Sequence, residues 1–292
     1  VALGVLFLIL ISLTINRNSD YRSNISLWED TYKKSPEDLK VLHNLSHFYL
    51  EGQRYQQAIV PLLKLSHSEA GPFYRSFAHS NLGSIYTKNR NFEKARQEFK
   101  KAIALEPTLP LGYLNLGAFY ASRGQLNQAR TEFLRARERY IKFKWGYPMP
   151  ALLDLNLARV NFHLKFFEEA EKFVLLYLQK FSDSPDGLLL QGKIYQEEGK
   201  LELAEQTFHK VRGGGLASAK AYNNLGILYI RQNKYEKAQK AFIASIQMDA
   251  KIPDAHYNLG KLILDLQGNH TSVSKHLKSA LAYSQSVAMK KE

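Results

Sequence analysis

The sequence predicts an all-α solenoid, a right-handed stack of about seven helical hairpins. An Asn-Leu pair recurs six times in the 292 residues, with its leucine at Leu45, Leu82, Leu116, Leu157, Leu225 and Leu259. A small residue follows each of these leucines after 13 positions: Ala58, Ala95, Ala129, Ala170 and Ala238 for the first five hairpins that have the pair. The commonest interval between leucines is 34 residues. A period of this length indicates stacked helical repeats, because one hairpin cannot bury its apolar face alone.

The full set of spacings resembles the tetratricopeptide repeat (TPR), whose pattern is Leu-Gly-x-x-Tyr, then Ala-x-x-x-Phe, then Pro. Leu82-Gly83 with Tyr86, followed by Ala95 and Phe99, is one complete example. The resemblance covers residues 39–285 and implies a TPR superhelix. In this pattern the glycine lets the first helix of a hairpin approach the second closely, where a larger side chain would overlap it.

Seven repeats are predicted, and departures from the period fall between and within them. They are expected at about 39–72, 76–109, 110–143, 151–184, 185–218, 219–252 and 253–285, with first helices near 39–51, 76–88, 110–122, 151–163, 185–197, 219–231 and 253–266. Extra residues lie around 67–72 and 140–150. The fifth repeat carries Leu190 in place of the asparagine, and the seventh carries Ser272 and His276 in place of Ala and Phe, which suits a terminal hairpin.

The segments outside the repeats are a linker, a cap and a tail. Residues 17–38 are predicted to hold a linker and a capping half-repeat, because Trp28 and Pro36 have the spacing of the Phe and Pro of a TPR second helix. Three glycines at 213–215 indicate a hinge-like connection between repeats five and six. Residues 286–292 are expected to form a tail.

The amino-terminal segment is apolar. Residues 1–15 contain only apolar side chains apart from Gly4, Ser12 and Thr14. We expect residues 1–16 to be the end of a transmembrane helix, although they are short of the ~20 residues that cross a bilayer. Because the chain begins with Val, we expect it to be cut from a longer protein. A buried apolar helix and a signal-peptide core are the alternatives.

This arrangement also resembles a larger one. An apolar helix, then Arg17-Asn18 and Leu27-Trp28-Glu29, then TPRs, is similar to the carboxy-terminal part of polytopic membrane glycosyltransferases, which include the transmembrane TPR-containing O-mannosyltransferases and their bacterial relatives. The resemblance implies a TPR part on the lumenal or periplasmic side that presents acceptor protein, with the cytoplasmic face as the alternative. Catalytic acidic residues of that family lie in early loops outside this sequence. We therefore expect this fragment not to be an enzyme, and the full-length protein to be a candidate protein O-glycosyltransferase.

Composition and motifs narrow the chemistry. The net charge of +13 comes from 40 basic and 27 acidic side chains spread along the chain, and no nucleic-acid-binding motif accompanies it. The sequence has no cysteine, which excludes disulfides and thiolate metal sites. His43 and His47 have the spacing of a metal pair, but no acidic residue joins them. We expect no catalytic constellation, metal site or cofactor.

The repeated asparagine is the strongest indication of function. Asparagines at one position of six first helices are predicted to face one groove: Asn44, Asn81, Asn115, Asn156, Asn224 and Asn258. An amide both donates and accepts, so a row of amides suits the backbone of an extended peptide. The ladder is similar to that of the TPR superhelix of O-GlcNAc transferase. The alternative is that each asparagine bonds to neighbouring backbone and braces the stack.

Charged neighbours of the ladder predict selectivity. The predicted peptide-binding set also includes basic side chains at His43, His47, Arg159, Lys193 and Lys261. A cationic groove favours acidic peptide segments, because hydrogen bonds to charge are stronger than neutral ones. The Lys-Arg end of a chaperone-type carboxylate clamp is missing, since Ser80, Ser84 and Leu111 stand there.

An inserted segment at 140–150 is aromatic, basic and bounded by prolines. It covers a gap between repeats three and four, or it contacts membrane headgroups or a catalytic half. Three classes of function thus stay open. The first is a membrane-tethered TPR module that binds extended peptide for a glycosyltransferase encoded upstream. The second is a non-enzymatic scaffold for a membrane complex, and the third, weaker class is nucleic-acid binding.

Overall fold

A computed structural model describes residues 23–143, 151–211 and 214–267, and all regular structure in these ranges is α-helical. The helices are α1 (Asn24–Lys34), α2 (Leu39–Glu51), α3 (Tyr55–His67), α4 (Pro72–Lys88), α5 (Phe92–Leu105), α6 (Pro110–Ser122), α7 (Leu126–Phe143), α8 (Ala151–His163), α9 (Phe167–Leu178), α10 (Pro185–Glu197), α11 (Leu201–Lys210), α12 (Gly215–Arg231), α13 (Tyr235–Met248) and α14 (Pro253–Gln267). For these ranges, the prediction of an all-α fold built from helical hairpins is confirmed.

Several predictions fall outside the described ranges. They concern the apolar segment 1–16, most of the inserted segment, and Ser272, His276 and the tail 286–292. Within the described part of the chain, no helix has both the length and the apolar character needed to span a membrane.

The chain divides into two compact units, Val1–Met149 and Pro150–Glu292. In unit 1 the hairpins α2–α3, α4–α5 and α6–α7 pack in sequence, and α1 packs on α2. In unit 2 the hairpins α8–α9, α10–α11 and α12–α13 pack in the same way, and α14 packs on α13. Each unit therefore buries the apolar faces of its hairpins between neighbours, as a repeat stack requires.

A glycine and a phenylalanine meet inside four of the hairpins. A Cβ atom at Gly226 would lie 2.4 Å from the ring of Phe242, and one at Gly192 would lie 2.4 Å from the ring of Phe208. Carbon atoms in contact are normally about 3.5–4.0 Å apart. The same contact joins Gly83 to Phe99 and Gly117 to Phe133. The close helix approach inferred from the Leu-Gly pattern is thus present in both units.

Two helices begin one turn earlier than the expected first helices. α4 begins at Pro72 rather than near residue 76, because Gly71 is extended (φ −55°, ψ 158°) and proline suits the first helical position. α12 begins at Gly215 rather than near residue 219, so the last of the three glycines is helical. Gly214 precedes it with φ of 64°, a conformation that glycine adopts without strain.

A left-handed residue links the two helices of every complete hairpin in the described ranges. It lies eight residues after the repeat's leucine position and has φ between 57° and 76° in each case: Gln53, Arg90, Gly124, Lys165, Gly199 and Asn233. Only two of the six are glycine, although side chains other than Asn and Asp rarely adopt this conformation. The tight hairpin turn therefore imposes the conformation on whatever residue occupies the position.

α1 closes the amino-terminal side of unit 1. Ile25, Trp28 and Tyr32 of α1 pack against the buried residues of the first hairpins. The Tyr49 hydroxyl donates to the Glu29 carboxylate at 2.8 Å. Burial, with this hydrogen bond, raises the pKa of Tyr49 to about 12. α1 thus covers apolar surface that the first hairpin would otherwise expose.

Candidate functional site

Unit 2 contains a groove formed by the first helices of its repeats. It encloses about 270 Å³ between α8, α10, α12 and the start of α14. The lining residues are Arg159, Phe162, His163, Asp186, Leu189, Leu190, Lys193, Lys220, Asn223, Asn224, Ile252 and Asp254. We call this the unit-2 groove. Of the predicted peptide-binding residues in unit 2, Arg159, Lys193 and Asn224 line it, whereas Asn156, Asn258 and Lys261 do not.

The floor of the unit-2 groove is apolar. Leu189 and Leu190 are 9% and 8% exposed, and Ile252 is 4% exposed. Leu190 stands where the asparagine ladder is interrupted, so the gap in the polar row is filled by apolar contact surface. A ligand that places an apolar side chain here removes further apolar area from water, which favours binding.

Among its described residues, the unit-2 groove has more unpaired basic side chains than unpaired acidic ones. Arg159 donates to the Asp186 carboxylate at 2.9 Å, which neutralises that acid. Lys193 and Lys220 are exposed, and neither forms an ion pair with a described residue. Asp254 is the other acid in the lining. The groove therefore offers two uncompensated ammonium groups against one uncompensated carboxylate.

Two asparagines of neighbouring repeats bond to each other in unit 2. Asn258 Nδ2 donates to Asn223 Oδ1 at 2.9 Å, which joins α14 to α12. Asn223 is 6% exposed, so its carbonyl oxygen has little access to water. Asn258 thus links two repeats through a side chain, whereas the alternative interpretation of the ladder expected a bond to neighbouring backbone. Asn224, 8% exposed, lines the groove and makes no side-chain hydrogen bond to a described residue.

The three ladder asparagines of unit 1 also differ from one another. Asn81 Nδ2 donates to the Phe77 carbonyl in its own helix at 2.9 Å. The Asn44 Oδ1 lies 3.4 Å from His43 Nδ1. Asn115 makes no side-chain hydrogen bond to a described residue, and the same holds for Asn156 in unit 2. Asparagines at the same repeat position therefore differ: some use their side-chain amide in hydrogen bonds within the protein, and others form none with a described residue.

The histidines of the first repeat differ from the expected basic pair. The His43 ring lies between Tyr74 and Phe77, with centroid distances of 5.3 Å and 4.5 Å. Burial lowers the pKa of His43 below its ordinary 6.5, so the ring is neutral at pH 7 and contributes no positive charge to a groove. His47 lies 3.4 Å from Glu51 on the exposed side of α2.

Sequence reasoning missed part of the groove. Lys220, Asp186 and Asp254 lie four residues before the ladder position. Residues four apart lie on the same face of a helix, so these three could have been included on that ground. Asn223 lies one residue before the ladder position. No signal in the sequence separated it from the many other polar residues of the first helices.

Family profiles match three stretches of the helical hairpins. A family profile described as "Tetratricopeptide repeat" matches residues 76–109 and 219–251, and a second profile with that description matches 98–131. The chain contains tetratricopeptide repeats. These matches lie in both units, on the hairpins with the Gly–Phe contact at Phe99, Phe133 and Phe242.

Two curated proteins are similar to the chain. Protein O-mannosyl-transferase TMTC3 of Homo sapiens is 22% identical over 269 residues, which are 92% of this chain and 22% of that protein. Tetratricopeptide repeat protein 8 of Caenorhabditis elegans is 22% identical over 139 residues, 47% of this chain and 27% of that protein. The chain thus spans about a quarter or less of the length of these relatives.

Solved structures share the fold. The type IV pilus biogenesis factor PilW has a TM-score of 0.61 and 18% identity, over 77% of this chain and 98% of its own. The Cut9–Hcn1 complex of the APC/C has a TM-score of 0.59 and 16% identity, over 89% of this chain and 49% of the other chain. PilF of Pseudomonas aeruginosa has a TM-score of 0.57 and 18% identity, over 81% of this chain and 95% of its own. At these identities the likeness concerns the fold alone.

Proposed function

We propose that the chain is a protein-interaction module whose repeats bind extended polypeptide along their first helices. The observation that carries the proposal is the unit-2 groove, where Lys193 and Lys220 flank an apolar floor and the Asn224 side chain makes no hydrogen bond to a described residue. The tetratricopeptide repeats supply a scaffold of the kind used for protein–protein interaction.

The chemistry of the groove favours one class of peptide. The Asn224 amide can pair with a peptide N–H or C=O whatever the side chains of the ligand are. The ammonium groups of Lys193 and Lys220 attract carboxylates, and charge-assisted hydrogen bonds are about twice as strong as neutral ones. Leu189 and Ile252 suit an apolar side chain. The preferred ligand is therefore an extended segment in which an acidic residue adjoins an apolar one.

Binding of short labelled peptides to the 292-residue chain, measured by fluorescence anisotropy, tests this proposal. One peptide is acidic and apolar, one replaces its acids with lysine, and one contains only Gly and Ser. We expect the acidic peptide to bind most tightly. Reversing charge with Lys193→Glu and Lys220→Glu should weaken binding of the acidic peptide at least about tenfold, because both variants replace attraction with repulsion. A tenfold loss corresponds to ~1.4 kcal/mol of binding free energy.

Lys240→Glu is the matched control, because Lys240 is also exposed but lies on the second helix α13, outside the groove. It should leave the affinity unchanged apart from a small effect of net charge. An equal loss with Lys240→Glu would show that the peptide responds to overall charge, and an absence of preference among the three peptides would refute groove selectivity.

The wider setting of the module is also a proposal. We place it on the lumenal or periplasmic side of a membrane, where it presents acceptor protein to a glycosyltransferase encoded upstream. Similarity to TMTC3, a protein O-mannosyl-transferase, over 92% of the chain supports the link to a glycosyltransferase, and the side of the membrane is part of the proposal. Protease protection of the repeats in sealed membrane vesicles tests the side of the membrane. Digestion of the repeats in intact vesicles, without detergent, would place them on the cytoplasmic side instead.

A further inference from the structure

Unit 1 contains a large hollow that lies away from the first-helix positions of the asparagine ladder. It encloses about 710 Å³ where the turn between α4 and α5 meets the turn between α6 and α7. The lining residues are Asn89, Arg90, Asn91, Phe92, Glu93, Arg96, Phe119, Tyr120, Arg123, Gln125 and Gln128. We call it the turn hollow. Its volume falls within the ~300–1,000 Å³ of small-molecule sites.

The turn hollow is strongly basic. Three arginines line it, against a single acid, Glu93. Arg96 donates to Glu93 at 2.7 Å on the exposed surface of α5. The Arg123 guanidinium lies 3.8 Å from the centre of the Phe92 ring and forms no ion pair with a described residue. The lining therefore holds three guanidinium groups and one carboxylate, and that carboxylate pairs with Arg96.

Phe92 holds the Arg123 guanidinium in place before any ligand arrives. A guanidinium stacks on an aromatic face while its edge N–H groups stay free to donate. Because the side chain is already ordered, an anion that binds it loses less conformational entropy. Amide side chains at Gln125 and Gln128, both exposed, add donors and acceptors beside the guanidinium.

Cations can link neighbouring repeats while they are paired with acids, so an excess of positive charge is not needed to stabilise the stack. In unit 2, Arg231 also joins neighbouring first helices, and Glu197 neutralises it at 2.7 Å. Lys200 is likewise neutralised by Glu171 at 3.0 Å. In unit 1, Lys88 is the last residue of α4 and stacks on the Tyr55 ring of the preceding hairpin at 4.3 Å. It is not among the residues that line the hollow. Arg123 combines the stacked position with two further arginines.

We propose that the turn hollow binds a phosphate monoester dianion, either free in solution or carried by a peptide. Arginine suits this group because its planar fork donates two parallel hydrogen bonds to phosphate oxygens. A phosphate monoester carries a charge of about −1.5 to −2 at pH 7, so it is attracted to a lining rich in guanidinium groups and to the stacked Arg123 in particular. The amides beside Arg123 would contact the groups to which the phosphate is attached.

Isothermal titration of the 292-residue chain tests the proposal with four probes: inorganic phosphate, phosphoserine, a Gly/Ser peptide with one phosphoserine, and the same peptide unphosphorylated. We expect binding of the phosphorylated probes and none of the unphosphorylated peptide. Arg123→Ala and Arg96→Ala should each weaken binding by about tenfold. Arg123→Lys should also weaken it, because lysine keeps the charge but not the fork.

Lys88→Ala is the matched control, since Lys88 is a cation that stacks on a ring of the preceding hairpin and is not one of the lining residues. It should leave phosphate affinity unchanged. Equal binding of phosphoserine and the phosphopeptide supports a free ligand as the source of the phosphate, and tighter binding of the phosphopeptide supports a peptide. An equal loss with Lys88→Ala, or no binding by any phosphorylated probe to a variant-free chain, overturns the proposal. Circular dichroism of each variant shows that the fold is intact.

Discussion

Replacing two asparagines of the same ladder in unit 2 is expected to have opposite consequences. Asn258 donates to Asn223 across the α14–α12 contact, whereas Asn224 lines the groove without a side-chain hydrogen bond to a described residue. We therefore expect Asn258→Ala to lower stability and leave peptide affinity per folded molecule unchanged. Asn224→Ala should instead lower peptide affinity and leave stability nearly unchanged.

The magnitudes follow from the partner that each change leaves behind. Asn258→Ala leaves the Asn223 carbonyl oxygen without its donor, at a residue that is 6% exposed. An unsatisfied buried polar group costs about 1–3 kcal/mol. The gain in helix propensity from Asn to Ala returns at most about 0.7 kcal/mol. The net loss therefore lies between about 0.3 and 3 kcal/mol, with a middle value of ~1.5 kcal/mol. Asn224→Ala loses no side-chain hydrogen bond to a described residue and should stay within about 0.7 kcal/mol of the parent chain.

Urea unfolding followed by circular dichroism measures the difference. Stacked repeats can unfold in parts, so hydrogen exchange of α12 and α14 supplies the local value. The double variant Asn223→Ala with Asn258→Ala removes both partners and should cost less than the sum of the single changes. Equal destabilisation by Asn258→Ala and Asn224→Ala would refute the division of the ladder into bracing and unbonded amides.

Three further predictions concern stability. Gly226→Ala should destabilise by about 2 kcal/mol, because its Cβ would lie 2.4 Å from the buried Phe242 ring and overpacking of about 1–3 kcal/mol exceeds the helix-propensity gain; in a Phe242→Leu background the penalty should shrink, and an undiminished penalty in urea unfolding would contradict the steric cause. Ser245→Ala should cost about 1 kcal/mol, since the buried hydroxyl donates to the Ala219 carbonyl at 2.6 Å. At the equivalent contact in unit 1 the serine is on the first helix instead of the second, and Ser76 donates to the Ala102 carbonyl. Adding Ala219→Ser to Ser245→Ala copies that arrangement and should restore the melting temperature. Burial opposes ionisation of Glu98, but hydrogen bonds from Lys101 and His79 outweigh it and hold the pKa of Glu98 below 4.5. This lowered pKa stabilises the fold above about pH 4.5, and the contribution is lost as pH falls through the folded-state pKa. Glu98→Gln should therefore lower the melting temperature at pH 7 and flatten its decline below about pH 4.5; an unchanged acid limb would exclude this carboxylate as its source.

The hairpins could be predicted from the sequence because their determinants are local and repeated. Each Gly–Phe contact joins residues of one hairpin, so the fixed spacing of Gly226 and Phe242 specifies it. The starts of α4 and α12 were placed one turn too late, since the residues before them were read as connection rather than helix. The left-handed turn position was not recognised either. Gln53, Arg90 and Lys165 do not favour positive φ, and only their shared distance from the repeat leucine marks them.

The groove was less predictable than the hairpins because its chemistry depends on contacts between repeats. Asn224 and Asn258 have the same register, yet only Asn258 meets another amide, and that amide is the residue preceding Asn224. The repeat position of Asn258 thus determines where its side chain lies on the helix, and the neighbouring repeat determines whether its amide already has a hydrogen-bond partner. In unit 2, the Asn258 amide is occupied because the preceding repeat offers it Asn223, whereas the Asn224 side chain meets no such partner among the described residues. On this argument, placing leucine at Asn223 should release the Asn258 amide without disturbing Asn224, and peptide binding that then depends on Asn258 as well would demonstrate that bracing and recognition compete for the same groups.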